Sequence, residues 1–348
     1  MKNRSVAIDG AGKAYIHDGE LGDPGEGQIQ VQMAKSQISV GTEMMGVIPR
    51  RKKPDPKASP TFPGYSIAGT VIKTGKNVDG FAEGDRVMAM GAGQATHALY
   101  SNVNQNLSMK LPKAMSFEDG ANVALAITAM HAVRRLDPEF GKAYIIAGLG
   151  IVGQFASQIL TSAGCTVIGL DISDFRLKKA LSNGMHLGVK SITDDAGQKA
   201  VKDITESDGV DGGIICFGGD GTETLKGIYN LMITPPDTHR TGPIVVVGGA
   251  TFTIQLAAAL GNIDIRSAAR TGPGYKDESW EKGRDYPAGW VRWDTRHNMR
   301  VFRDYVLSKR MNVASLATHT FTLDEAAKAY DAVAENTLPD ALGIFFEP

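Results

Sequence analysis

The stretch Gly148-Leu149-Gly150-Ile151-Val152-Gly153 lies between an apolar run, Ala143 to Ala147, and a run of helical character, Gln154 to Ala163. Strand, tight glycine turn and helix start, in that order, suit a turn that seats a diphosphate. One glycine makes the turn, one lets backbone approach the pyrophosphate, and one lets the helix pack on the strand. Free N–H groups and a partial positive charge at the helix start then face the phosphates. A glycine-rich turn between packed elements is the plain alternative. Against it stands the next apolar run, Cys165 to Leu170, which ends in an acid, Asp171.

In a dinucleotide-binding sheet such an acid accepts hydrogen bonds from the adenosine ribose hydroxyls. A 2′-phosphate at that place would meet a fixed negative charge. Two like charges about 4 Å apart repel by roughly 4 kcal/mol at an effective dielectric near 20, whereas a tenfold preference needs only about 1.4 kcal/mol. The expected cofactor is therefore NAD rather than NADP. Arg176 tempers this, since an arginine can accept the 2′-phosphate, lie on the ribose or face solvent. Ile172 and the strand ends at Phe217 and Gly248 complete the expected cofactor set.

The chain has 348 residues, 42% apolar and 22% charged, with a formal net charge of −1. It can bury a large core and is expected to form two domains. Near-zero charge gives no reason to expect nucleic acid or an anionic membrane as partner. Met1-Lys2-Asn3-Arg4-Ser5 leads into a strand-like run without the apolar core of a signal peptide, which points to the cytoplasm. No residue from Ala143 to Leu170 is charged, yet Gly148, Gly150, Gly153, Gly164, Gln154 and Gln158 divide the stretch into strand, helix and strand. A buried parallel sheet accounts for it better than a membrane span. The two cysteines, Cys165 and Cys216, sit in apolar strand-like runs and suit buried reduced thiols.

Before Ala143 the pattern is strand-rich and glycine-punctuated: Gln28 to Met33, Ala68 to Thr74, Asp85 to Met90, His97 to Val103. After it, strands and helices alternate: Phe175 to Leu181, Gly213 to Phe217, Ile244 to Val247 and Ile263 to Ala268 follow the glycine turn. That alternation predicts a doubly wound parallel sheet in an α/β protein. From Thr271 the structure is mixed, ending in a helix over Asp324 to Ala334 and a strand over Leu342 to Phe346. Arg50-Arg51-Lys52-Lys53 precedes a loop over Pro54 to Pro63, and reads either as a solvated basic turn or as a rim attracting an anionic substrate.

Val40-Gly41-Thr42-Glu43, Phe62-Pro63-Gly64-Tyr65-Ser66-Ile67-Ala68-Gly69, Gly84-Asp85-Arg86-Val87 and Gly148 to Gly153 with Gly169-Leu170-Asp171-Ile172 together resemble the medium-chain dehydrogenase/reductase superfamily, the zinc-type alcohol and polyol dehydrogenases. The resemblance covers essentially the whole chain. It implies a GroES-like, mostly β catalytic domain over 1–135 and 272–348 and a Rossmann NAD-binding domain over 136–271. The stretch Gly272-Pro273-Gly274-Tyr275, Asp285-Tyr286-Pro287, Val291-Arg292-Trp293 and Arg296-His297-Asn298-Met299 resembles a narrower branch, whose modules occur alone or joined to a second sugar-type oxidoreductase domain.

The family holds its catalytic zinc through a cysteine, a histidine in a Gly-His-Glu word, and a later cysteine or acid. Here Val40 stands at the cysteine, Tyr65 and Ser66 replace the His-Glu pair, and Ala124 marks a region without a ligand. The family's four-cysteine lobe is missing between Ala92 and Gln105. A catalytic zinc needs three protein ligands and a structural one four. The expectation is an enzyme without metal.

Hydride transfer between an alcohol carbon and nicotinamide leaves a proton to handle and an alkoxide-like oxygen to stabilise. Without zinc the work falls to hydrogen-bond donors and a general acid/base, a contribution of about 10² to 10⁴-fold. The candidates stand at and beside the matched zinc positions. Tyr65 is either a proton donor or an aromatic closing the place left by zinc; Thr42 matches the family's relay hydroxyl or is a turn hydroxyl. Glu43 matches an acid that in the family mainly holds structure through ion pairs. His97 is a proton shuttle or a packing residue.

All three tryptophans, Trp280, Trp290 and Trp293, cluster with Tyr275, Arg284, Tyr286, Arg292 and Arg296. Aromatic faces suit sugar C–H faces and arginines suit carboxylates or hydroxyls, which makes Tyr286, Trp290, Arg292 and Trp293 candidate substrate residues. A subunit interface or a packed lid would use the same residue types. The resemblance also implies a homodimer joined along the edge strand Ile263 to Ala268. The leading expectation is an NAD-dependent, metal-independent oxidoreductase acting on a secondary hydroxyl or ketone of a small polar molecule: a sugar, cyclitol or polyol. A zinc-free enoyl or quinone reductase, and a nucleotide-binding sensor or structural dimer without turnover, are the alternatives.

Overall fold

The computed structural model describes residues 1–348 apart from Leu256. The chain forms two compact units, one of Met1–Ile127, Thr271–Lys309 and Val313–Pro348, the other of Thr128–Arg270 with Arg310–Asn312. The first boundary falls inside one apolar helix, Val123–Leu136.

The first unit is built on a β-sheet in which Ala317–Thr322, Gly343–Glu347, Gln28–Gln37, Ser66–Thr74, Arg86–Met90 and Ser108–Lys110 lie side by side, with Tyr100–Asn104 paired to Gln28–Gln37. An N-terminal hairpin, Lys2–Ile8 with Ala14–Glu20, adds a second layer. Alternating side chains of these strands meet the helix Ala326–Ala334 in a core of Val6, Ile8, Met33, Val47, Phe321, Tyr330, Ile344 and Phe346. His97 does not lie on a strand. The strand starts only at Tyr100, because the backbone before it turns to pair with the N-terminal strand: Val6 N–H donates to the His97 carbonyl (2.8 Å) and Leu99 N–H to the Arg4 carbonyl (2.9 Å).

Val40 to Glu43 open a helix, Val40–Lys52, that contains Gly46 and Pro49 and has poor intrinsic propensity. Burial of Glu43 and Val47 on one face holds it. The basic run is the last turn of this helix and not a free turn. Arg50 donates to the carbonyls of Ile8 (3.1 Å) and Asp9 (2.9 Å), and Arg51 pairs with Asp331 at 2.5 Å. Only Lys52 and Lys53 are exposed.

The tryptophan-rich segment is pinned to this unit by a buried acid. Glu281 accepts from Gln94 (3.0 Å), from Asn104 (2.8 Å) and from the Lys276 amide (2.8 Å). Beside it Asn106 donates to the Trp280 carbonyl at 2.6 Å, and Trp280 is fully buried.

The second unit carries a six-stranded parallel sheet ordered Leu187–Val189, Thr166–Leu170, Ala143–Ala147, Gly212–Ile215, Thr241–Val246, Asn262–Ser267. Numbered along the chain this is 3-2-1-4-5-6, the doubly wound Rossmann order, whose reversal lies between Ala143–Ala147 and Gly212–Ile215. Helices Ile151–Ser162, Asp174–Ser182, Asp195–Ile204 and Thr222–Leu231 provide the crossovers. Ala143–Ala147 is buried along its whole length and the helix after it over Gly153–Leu160, which explains the uncharged stretch. Among the described residues no helix is long and apolar enough to cross a membrane. Asn262–Ser267 is the sheet's edge, with Ile265 exposed.

Replacing Glu281 with alanine strips the acceptor from three donors around it. Urea unfolding followed by tryptophan fluorescence is expected to show a loss of about 2 to 4 kcal/mol.

Candidate active site

In the second unit the glycines have distinct geometries. Gly148 turns the chain with φ at 88°, while its N–H donates to the Leu170 carbonyl at 2.8 Å. A Cβ on Gly153 would lie 2.0 Å from the Gly148 carbonyl oxygen, so only glycine lets the helix sit this close to the turn. A Cβ on Gly150 would meet nothing within 4 Å, which leaves the turn open to a ligand. Gly150 caps the helix without a side chain, and the first-turn N–H groups of Ile151 and Val152 have no capping acceptor from it.

Asp171 is 7% exposed and rigidly held. Its carboxylate accepts from the Leu149 amide (2.7 Å) and from the Ser173 amide (2.8 Å). A carboxylate has about four acceptor sites, so lone pairs remain for ribose hydroxyls. A guanidinium nitrogen of Arg176, whose side chain is partly exposed, lies 3.8 Å from that carboxylate. Ile172 is 87% exposed, an apolar side chain beside the acid without protein cover. Phe217 packs on the sheet core and backs Gly148, and Gly248 is an exposed turn with φ at 105°. These residues fit a dinucleotide. Sequence reasoning missed Gln154 as part of the site: fully buried, it donates to the carbonyls of Leu149 (3.2 Å) and Arg176 (2.9 Å) and ties the turn to the acid's loop. A polar side chain on the buried face of an apolar helix was the available signal.

In the first unit the structure gathers Tyr65, Thr42, Glu43 and His97. The Tyr65 hydroxyl donates to Ser39 Oγ at 2.5 Å and approaches Thr42 Oγ1 at 3.4 Å. Burial pushes its pKa up to about 12, against the lowering effect of those two hydroxyls. Thr42 is exposed and Tyr65 partly so. Glu43 and His97 lie beneath them. Glu43 Oε1 accepts from the Ser39 amide at 2.8 Å, Oε2 accepts from the Tyr330 hydroxyl, and His97 Nε2 stands 3.2 Å from the carboxylate. Nδ1 of His97 is 2.9 Å from Ser36 Oγ, and the edge of the imidazole meets Phe346. His97 has no exposed surface, so no group from solvent reaches its ring directly, and Glu43 is buried beside it. Burial and the carboxylate together push the Tyr330 phenol well above its ordinary range.

The donor set does not fit zinc. Val40 and Ala124 carry no ligand atom, and Ser66 donates to the Ala121 carbonyl (2.6 Å) while accepting from the Ala124 amide (3.1 Å). Among the described residues no three of His, Cys, Asp or Glu are grouped to hold a metal.

The aromatic cluster separates into two kinds of residue. Tyr286 is half-buried: its hydroxyl donates to Asp277 (2.8 Å) and its ring stacks on buried Trp280. Trp290 is 77% exposed, and the guanidinium of exposed Arg292 lies 5.9 Å from the Trp293 ring centre. Ser39, Ser36, Tyr330 and Glu281 were absent from the sequence expectations, since nothing local marks a serine or tyrosine as the partner of a distant acid.

Two family models match the chain, an alcohol dehydrogenase GroES-like domain over residues 23–168 and a zinc-binding dehydrogenase domain over 152–251. Sorbitol dehydrogenase of Bos taurus is 25% identical over 95% of this chain and 92% of its own length. D-guloside 3-dehydrogenase of Escherichia coli K12 is 31% identical over 42% of each chain. Among solved structures, an Escherichia coli oxidoreductase of unknown specificity involved in membrane biogenesis superposes with a TM-score of 0.80 at 21% identity, covering 100% and 99% of the two chains. An alcohol dehydrogenase from Escherichia coli CFT073 complexed with NADH gives 0.76 at 17% identity, covering 100% and 99%. A Sinorhizobium meliloti 1021 dehydrogenase bound to NADP gives 0.78 at 17%, covering 100% of both.

Placing a methyl group at Gly153 forces the helix away from the turn. Gly153→Ala is expected to cost about 1 to 3 kcal/mol of stability in chemical denaturation and to weaken dinucleotide binding in calorimetry.

Proposed function

Because the chain belongs to the medium-chain dehydrogenase/reductase superfamily and its relatives support an alcohol or polyol oxidoreductase, we propose that it interconverts a secondary alcohol and a ketone on a sugar, cyclitol or polyol, with NAD(H) and without zinc. The Rossmann unit holds the cofactor and the GroES-like unit supplies the chemistry of the proton. The observation that carries this reading is Tyr65, a phenol standing at a metal-ligand position with Ser39 and Thr42 hydroxyls against its oxygen. Bound nicotinamide supplies the hydride exchange. In the reducing direction Tyr65 gives its proton to the substrate oxygen as charge builds there; in the oxidising direction its phenolate takes the hydroxyl proton. Glu43, His97 and Tyr330 keep the helix start and Ser39 in place, while Trp290, Arg292 and Trp293 offer an aromatic and cationic surface suited to a polar substrate.

NAD is favoured by Asp171, whose buried charge faces a 2′-phosphate with repulsion; Arg176, near the same carboxylate, weakens that discrimination without replacing the ribose acceptor. The free thiols suit a reducing compartment, in keeping with the cytoplasm. The strand Asn262–Ser267, at the edge of the sheet, suits pairing with a second copy of the chain across a two-fold axis.

Tyr65→Phe is expected to lower turnover with a ketone panel and NADH by at least about tenfold. Because the Tyr65 pKa is raised to about 12, alcohol oxidation by the unsubstituted protein should climb as pH rises toward that value and lose the climb in Tyr65→Phe. An unchanged rate would return Tyr65 to packing, and turnover of enones alone would overturn the alcohol/ketone assignment. Asp171→Ala should raise NADP use relative to NAD in paired steady-state assays, by at least about tenfold if the acid discriminates through charge.

A further inference from the structure

Ser39 is the N-terminal cap of the helix Val40–Lys52, yet its side chain makes no capping hydrogen bond. A serine at this place ordinarily accepts from an amide in the first helical turn. Here its hydroxyl is 2.5 Å from the Tyr65 hydroxyl. Its own amide is instead held by Glu43 Oε1 at 2.8 Å, so the residue is fixed from behind by the buried acid. Thr42, the hydroxyl at the family's relay position, lies at 3.4 Å and is exposed.

From this geometry we propose that Ser39, and not Thr42, is the positioning residue that turns its hydroxyl proton onto the Tyr65 oxygen when that oxygen gives up its own proton. The inference rests on Tyr65 being the proton donor proposed above. In the resting protein Tyr65 donates and Ser39 accepts. When the Tyr65 O–H bond breaks and the proton passes to the substrate oxygen, the phenolate has only acceptor sites left. The Ser39 hydroxyl rotates to donate to it, with no bond to Ser39 broken and no proton lost from it. Burial above all, and then the Glu43 carboxylate, oppose deprotonation of the phenol, whereas the hydroxyls of Ser39 and Thr42 favour it.

The test is an alkaline titration of the unliganded full chain, read by tyrosinate absorbance after a rapid pH jump, with circular dichroism confirming that the fold persists. Subtracting the Tyr65→Phe protein isolates the Tyr65 signal. In Ser39→Ala the midpoint of that signal is expected to move up by about one pH unit, the effect of one lost hydrogen bond to a charged oxygen. Ser39→Gly, well tolerated at a helix cap, should do the same, Ser39→Thr should restore the midpoint, and Thr42→Ala should move it less. A midpoint unchanged in both Ser39→Ala and Ser39→Gly, or a larger shift in Thr42→Ala, overturns the proposal. No substrate or cofactor enters the measurement, so it is decided separately from the turnover assay that tests Tyr65 as donor.

Discussion

A single buried carboxylate organises the candidate reaction centre. Glu43 sits almost without solvent contact, and its two oxygens are shared among the Ser39 amide, the Tyr330 hydroxyl and His97. Those partners come from the turn before the helix, from the C-terminal helix Ala326–Ala334 and from the loop before Tyr100–Asn104. A buried charge is tolerated only where hydrogen bonds replace its lost hydration. Every element that contributes a donor is therefore tied to the place where Tyr65 and Thr42 emerge.

The same solution recurs twice. Glu281 is buried among two side-chain amides and a backbone amide and fastens the tryptophan-rich segment to the sheet unit. Asp171 is gripped by two backbone amides at the end of its strand. In each case backbone amides are among the donors that hold the acid. Short hydrogen bonds from fixed amides orient a carboxylate more tightly than a long, flexible lysine would. At Asp171 two amide donors leave acceptor sites of the carboxylate free. At Glu43 three partners, the Ser39 amide, the Tyr330 hydroxyl and His97, share the carboxylate. At the positions matched to the family's zinc ligands this chain has Val40, Tyr65 and Ser66, and the hydroxyls of the last two are bonded to Ser39 and to the Ala121 carbonyl.

Much of the architecture was legible in the residues. The order of apolar runs around Gly148–Gly153 and Asp171 gave the doubly wound sheet, and five of its strands lie within a few residues of their expected bounds, while the short edge strand Leu187–Val189 was not foreseen. The errors have physical causes. His97 to Val103 has strand composition, but pairing with the N-terminal strand bends its first part. The helix Val40–Lys52 was hidden by Gly41, Gly46 and Pro49, and forms because tertiary burial of Glu43 and Val47 outweighs weak local preference. Arg50 and Arg51 read as surface charge because their carbonyl and carboxylate partners lie far away in the sequence.

What the sequence determined by itself was whatever depends on neighbours along the chain: the glycine turn, the acid ending the next strand, the alternation of strand and helix, and the lack of zinc-ligand side chains at the matched positions. Those are fixed by backbone sterics and by which side chain stands at which place. The tertiary structure alone decided which polar groups meet. It separated Tyr286 and Trp280, which pack, from Trp290, which is exposed, and it joined Ser39 to Tyr65 and Tyr330 to Glu43. Hydrogen bonds act over about 3 Å, and residues hundreds of positions apart come within that reach only when the core has closed around them.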